Sequence, residues 1–152
     1  MAPSFSITRW QKGIALIFGL SFIGLLIYNQ QVPTAKIKIG GQNLTVLLAQ
    51  TPARQYTGLG GRADLGKYDG MLFTFPVADK YAFVMRDMHF SIDIIWLNNG
   101  KIVDIAPSVP LEIGVAESNL RRYRPRLSGN AVLELPAGFS AKHQIKIGDI
   151  VR

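Results

Sequence analysis

Residues 83–105, FVMRDMHFSIDIIWLNNGKIVDI, open on sulfur, basic and acidic side chains and run into an alternating stretch that carries Asp93 and Asp104. Asn99-Gly100 reads as a two-residue hairpin turn, because both turn positions need a backbone that Asn and Gly adopt at low cost. In regular register Trp96 faces Val103 and Ile95 faces Asp104. One face then holds Phe90, Ile92, Ile94, Trp96, Val103 and Ile105, all apolar. The other holds Asp93, Ile95, Leu97, Ile102, Asp104 and Ala106. As diagonal neighbours the two carboxylates stand about 7–8 Å apart, within the roughly 6.5–9.5 Å that inverting glycosidases use. Three roles fit that pair: an ion-pair balance for Arg86 and other cations, the lining of a binding cleft, or acid–base catalysis. Catalysis also needs one carboxyl to be desolvated and protonated. Nothing in the residues supplies that, so binding ranks ahead of hydrolysis.

Met85-x-x-Met88-His89 brings thioethers and an imidazole together, donors that suit Cu(I). In a strand, 85 and 88 face opposite sides unless a bulge intervenes, and methionine in a β core usually fills gaps. Met85, Met88 and His89 are therefore a weak metal candidate, and no cofactor is expected. Arg121, Arg122, Arg124 and Arg126 surround Tyr123 and form a candidate anionic contact, since the guanidinium fork matches phosphate and carboxylate. The chain has no cysteine, which removes disulfides, thiol nucleophiles, Cys-ligated zinc and iron–sulfur chemistry. No nucleophile-elbow pattern occurs, and GLGGR lacks the strand and Lys that phosphate loops need. Net charge is +7 over 152 residues, with the cations scattered, and neither a basic helix nor a stacking motif points to nucleic acid.

The elements that must hold these residues are short and extended. AKIKIGGQNLTVLLA reads as two strands around Gly40-Gly41. Thr51 is a helix N-cap and Pro52 a first helical residue, so a helix is expected over 52–58, stopped by Gly58. Strands follow over 71–75, 81–85, 92–97 and 101–105, then a loop over 107–129, then strands in AVLEL and HQIKIGDIV. The expected core is Leu72, Phe73, Phe75, Phe83, Ile92, Ile94, Trp96, Val103, Leu133 and Ile147. Many short strands with one short helix indicate a mainly β domain, a sandwich or a barrel.

Ahead of this domain, Arg9 and Lys12 precede an uncharged apolar run over 13–28, bounded by Trp10 and Tyr28. As a helix it reaches roughly 24 Å at about 1.5 Å per residue, a little short of a hydrocarbon core of about 30 Å. The expected organisation is a cytoplasmic tail (1–12), a signal-anchor transmembrane helix (13–28), a linker (29–35) and an extracytoplasmic β domain (36–152). The flanking cations place the N-terminus inside. The protein would then cross the inner membrane once, with its C-terminal domain outside the cytoplasm. The alternative is a cleaved signal and a secreted or periplasmic product, although no small-x-small site is evident near Ala35.

The segments GLGGRADLGKYDGMLFTFP, YAFVMRDMHFSIDIIWLNNGKIVDI, AVLELPAG and IKIGDIV, in that order over about residues 36–152, resemble domain-of-unknown-function family 192. The resemblance implies a compact, jelly-roll-like β-sandwich, commonly exported or membrane-anchored in prokaryotes, and brings no established activity. Val84, Arg86 and Met88-His89 depart from the family's usual Trp, Lys and Thr-containing pattern. The polar positions within these motifs, Arg54, Arg62, Arg86, Asp93, Asp104 and Glu134, are the candidate binding residues. The leading expectation is a non-catalytic ligand-binding or accessory module of the cell envelope. Its partners would be the membrane through 13–28 and an anionic glycan, lipid headgroup or protein. A glycan hydrolase using Asp93 and Asp104, or a purely structural partner of an envelope complex, is the alternative.

Overall fold

The computed structural model describes Trp10 and residues 32–152. The expected tail and membrane helix over 1–28 lie outside the described residues apart from Trp10. Among the described residues no helix is long and apolar enough to cross a membrane.

Residues Pro33–Arg152 form one unit. Strands β1 (Thr34–Ile39) and β2 (Gln42–Ala49) make the expected hairpin, with Gly40 and Gly41 both at positive φ. Helix α1 (Pro52–Thr57) follows: the Thr51 hydroxyl accepts the Arg54 N–H at 3.4 Å, Pro52 opens the first turn, and Gly58 at φ 54° ends it. Then come β3 (Gly70–Asp79), β4 (Ile92–Asn98), β5 (Lys101–Val109), a 3-10 turn (Glu117–Asn119), β6 (Gly129–Pro136) and α2 (Phe139–Lys142). The sheet order is β1-β2-β3-β6-β4-β5, with β2 and β3 parallel and every other pair antiparallel.

The domain is mainly β, as expected, but its six strands share one mixed sheet and not the two facing sheets of a jelly-roll-like sandwich. Ile39 of β1 and Ile102 of β5, from opposite ends of the strand order, lie in one buried cluster with Val46, Ile95, Leu97, Leu133 and Leu135. The sheet therefore curls around that cluster. Residues 148–152 bridge its two edges: Arg152 exchanges backbone hydrogen bonds with Lys38 of β1, and Gly148 and Asp149 bond Ile102 of β5. Joining the edges satisfies groups that would otherwise be open to pairing with another chain.

Strands β4 and β6 lie mid-sheet and are buried on both faces, which accounts for their near-continuous apolar runs. The outer face holds Met71, Phe73, Ile92, Ile94, Trp96 and Val132, all buried. Phe83 packs edge-on to both Phe73 and Trp96, and the Trp96 indole N–H donates to the Tyr81 carbonyl at 2.9 Å. That role removes residues 81–85 from the sheet. They are not the expected strand, and only Phe83 pairs, in an isolated bridge to Tyr123. The expected strand in HQIKIGDIV, which follows directly on α2, is likewise replaced by turns and the bridging tail, with only Ile150 pairing, in an isolated bridge to Lys101. Ile145 is the buried residue there, while Ile147 is half exposed.

Candidate functional site

The β4–β5 hairpin begins in the expected register, with Asn98 opposite Lys101 and Leu97 opposite Ile102, and both turn residues have positive φ. It then shifts, so that Trp96 pairs with Asp104 and Val103 is the extra residue of a bulge. A one-residue slip turns every later side chain over. Asp104 therefore shares the outer face with Trp96, whereas Asp93, opposite Leu135, faces the inner cluster. The two carboxylates do not share a face, and the geometry that suggested an acid–base pair does not arise.

Each carboxylate is also committed elsewhere. Asp93 is fully buried and accepts three backbone N–H bonds, from Ser108 (2.8 Å), Gly138 (2.9 Å) and Ser140 (2.7 Å). It ties β4 to the end of β5 and to the first turn of α2. Asp104 accepts the Arg126 backbone N–H at 2.6 Å, its Nη2 at 2.6 Å and its Nε at 3.1 Å. Burial pushes the Asp104 carboxyl up, but the hydrogen bonds and charge of Arg126 outweigh it and hold the group below its usual range.

The third candidate carboxylate differs from both. Glu134 of β6 lies between Met71 and Ile94 on the outer face and is 4% exposed. Its Oε2 has no hydrogen-bond partner, and burial pushes the carboxyl up to about 8. Burial thus favours the protonated acid, which can donate as well as accept. Gly70 is required beside it: a Cβ there would collide with the Glu134 carbonyl, so β3 can close on β6 only without a side chain.

Glu134 lines a cleft of about 270 Å³. Phe73, Phe75, Tyr81 and Phe83 wall it, with Phe75 and Tyr81 stacked at 3.7 Å and Phe73 and Phe83 perpendicular. Tyr56, Arg86, Glu117 and Arg122 line it as well. Arg86 organises that side of the cleft: it pairs with Glu117 at 2.6 Å, donates to the Tyr56 carbonyl at 2.7 Å and lies 4.0 Å over the Tyr56 ring. One guanidinium thus joins α1, the 85–88 turn and the 3-10 turn. The Gln55 amide donates to the Thr74 carbonyl at 2.9 Å and fixes α1 against β3.

Of the expected binding residues, the structure brings Glu134 and Arg86 to this cleft. Arg54 and Arg62 do not line it, and Asp93 and Asp104 lie outside it. Phe73, Phe75 and Phe83, expected in the core, also wall the cleft, and Tyr56 and Glu117 join it without any local sequence signal. The one local signal was a glutamate inside AVLEL, an ionisable group on an otherwise apolar face.

Met85, Met88 and His89 line a second cleft of about 380 Å³ with residues 111–115. A turn, in which the Met88 N–H reaches the Met85 carbonyl at 3.5 Å and Asp87 has φ 52°, replaces the strand that would have separated the two methionines. Among the described residues no three His, Cys, Asp or Glu side chains are grouped to hold a metal ion. The arginines divide: Arg126 is taken by Asp104, while Arg121, Arg122 and Arg124 line a third cleft of about 350 Å³ beside Trp96.

The family model DUF192, described as an uncharacterized ACR, matches residues 35–152. No curated protein matches the chain. Two crystal structures resemble it. A protein of unknown function from Novosphingobium aromaticivorans DSM 12444 is 26% identical with a TM-score of 0.69, over 81% of this chain and 87% of the other. A candidate transcription regulator from Sinorhizobium meliloti 1021 is 23% identical with a TM-score of 0.71, over 80% of this chain and 95% of the other. The second likeness is one of fold alone.

Proposed function

This chain belongs to the DUF192 family, and on that footing we propose that it is a binding module whose Glu134 cleft takes a sugar unit of a cell-envelope glycan. We propose further that residues 13–28 tether it to the membrane with the β domain outside the cytoplasm. The observation that carries the binding reading is a buried carboxyl whose Oε2 has no hydrogen-bond partner, in a cleft walled by four aromatic rings, where burial favours the protonated form. A sugar ring offers apolar C–H groups to an aromatic face and hydroxyls that both donate and accept. A neutral carboxyl matches those hydroxyls in both directions, whereas a carboxylate could only accept. The volume lies just below the roughly 300–1,000 Å³ usual for small-molecule clefts, which suits one ring-sized unit.

Hydrolysis is the second reading. A protonated Glu134 is the state a general acid needs, and Glu117 lines the same cleft. Against it, Arg86 already holds Glu117 in an ion pair. Titration of the protein with N-acetylglucosamine oligomers, with product analysis, separates the two. Binding without turnover is expected, weakened about tenfold or more by Glu134→Ala, since removing one buried partner leaves the other unpaired. Glu134→Gln, which keeps a neutral donor and acceptor, should bind at close to the wild-type level. Release of shorter oligomers would establish hydrolysis, and no binding by any oligomer would end the glycan reading.

A further inference from the structure

We propose that the ligand of the Glu134 cleft carries an anionic substituent, a carboxylate or a phosphate, that seats between Arg122 and Arg124, so that the ligand class is an acidic sugar. The proposal rests on the glycan reading of that cleft and deepens it. Its first support is continuity: Arg122 lines both the Glu134 cleft and the arginine cleft, so a group leaving one meets the other across a single side chain.

The second support is charge. Arg121, Arg122 and Arg124 line the arginine cleft, and Asp104 is its one carboxylate. The Arg126 main chain and guanidinium occupy Asp104 from outside that set. Among the described residues no carboxylate forms an ion pair with Arg121, Arg122 or Arg124. Arg121, Arg122 and Arg124 thus line one cleft whose single carboxylate is already paired with Arg126, which leaves a net positive charge there that favours an anion.

The third support is rigidity. The segment is pinned along its length, not left as a loose loop. The Arg121 N–H donates to Glu112 at 2.9 Å, Tyr123 exchanges two backbone bonds with Phe83, Pro125 is buried, and the Arg126 N–H donates to Asp104. Arg121 also lies 4.9 Å over the Tyr123 ring. Backbone held this way fixes the Cα positions from which the arginines reach the cleft, so that binding has to order side chains and not the loop. Arginine suits the role because its fork takes carboxylate or phosphate in two parallel bonds.

Calorimetric titration of the full chain in detergent with three probes tests this: N-acetylglucosamine, N-acetylmuramic acid, which adds one carboxylate, and N-acetylglucosamine 6-phosphate. At low salt at least one anionic probe should bind about tenfold tighter than the neutral sugar, the scale of one charge-assisted hydrogen-bond set. The preference should shrink as salt is raised and fall towards unity in Arg124→Gln. The probe that shows it tells carboxylate from phosphate. Equal binding of all three probes overturns the anionic subsite and leaves the glycan reading standing. Binding of none of the three overturns both.

Discussion

Three carboxylates buried in the same fold end in three different states, and their partners decide which. Asp93 meets three main-chain donors, Asp104 meets a guanidinium, and Glu134 has an oxygen that meets neither. For an unpartnered group desolvation is unopposed, so Glu134 keeps its proton to about pH 8 in the folded chain, against an ordinary value of 4.5. Unfolding releases that proton once the pH exceeds 4.5, because the unfolded chain then binds fewer protons than the folded one. The contribution to stability is therefore full below pH 4.5 and is lost progressively as pH rises towards 8. Glu134→Gln should remove this decline. The variant should be close to wild type in acid and more stable than wild type above pH 8, by on the order of 1.4 kcal/mol for each unit of the shift. Urea unfolding over a pH series measures the difference. A difference that does not change with pH would mean that Glu134 is ionised in the fold.

At the scale of elements, what was legible depended on whether the cause lay nearby in the chain. Helix α1 was readable because Thr51, Pro52 and Gly58 fix both of its ends locally. The Gly40-Gly41 and Asn99-Gly100 turns were readable because their backbones need those residue types. The bulge at Val103 has distant neighbours: Gly148 and Asp149 bond Ile102 on one side, and Arg126 holds Asp104 on the other. No pattern within 92–105 contains that information, so the two aspartates were placed on one face. Helix α2 was missed for the same reason, since it is capped by a carboxylate 47 positions away at Ser140. The cleft was half legible: Glu134 and Arg86 stood out as polar residues in apolar motifs, but its walls needed α1, β3 and the 81–88 segment brought together. The tail gives the test at this scale. Deleting residues 148–152 frees the edges of β1 and β5 at once, and exposed edges pair with other chains. The shortened protein should melt several degrees lower, as loss of about 1 kcal/mol or more implies for a domain of this size, and should form oligomers. An unchanged melting temperature and a monomeric profile would mean that the tail only lies against a sheet already complete.

At the scale of the molecule, the charge distribution and the N-terminal segment bear on one proposal. Of the net +7, Arg9 and Lys12 supply two charges on the proposed cytoplasmic side, and the chain from Lys36 onward carries 15 basic and 10 acidic residues. A basic β domain is suited to the acidic polymers of a cell envelope, in line with the anionic subsite inferred beside Arg122. Between the apolar run and β1 lie residues 29–33, which span at most about 17–18 Å when fully extended. Such a tether would keep the start of β1, and so the β domain, near the membrane surface. The full chain should sediment with membranes and stay there through alkaline carbonate, while a chain starting at Thr34 should be released and keep the same β-rich circular dichroism. A C-terminal reporter that works only outside the cytoplasm should be active on the full chain, as the proposed topology, with Arg9 and Lys12 on the inner side, requires. Carbonate release of the full chain would show that residues 13–28 do not span the bilayer. Reporter activity confined to the cytoplasm would place the cleft where no envelope glycan reaches it, and the glycan reading would fall with the anchor.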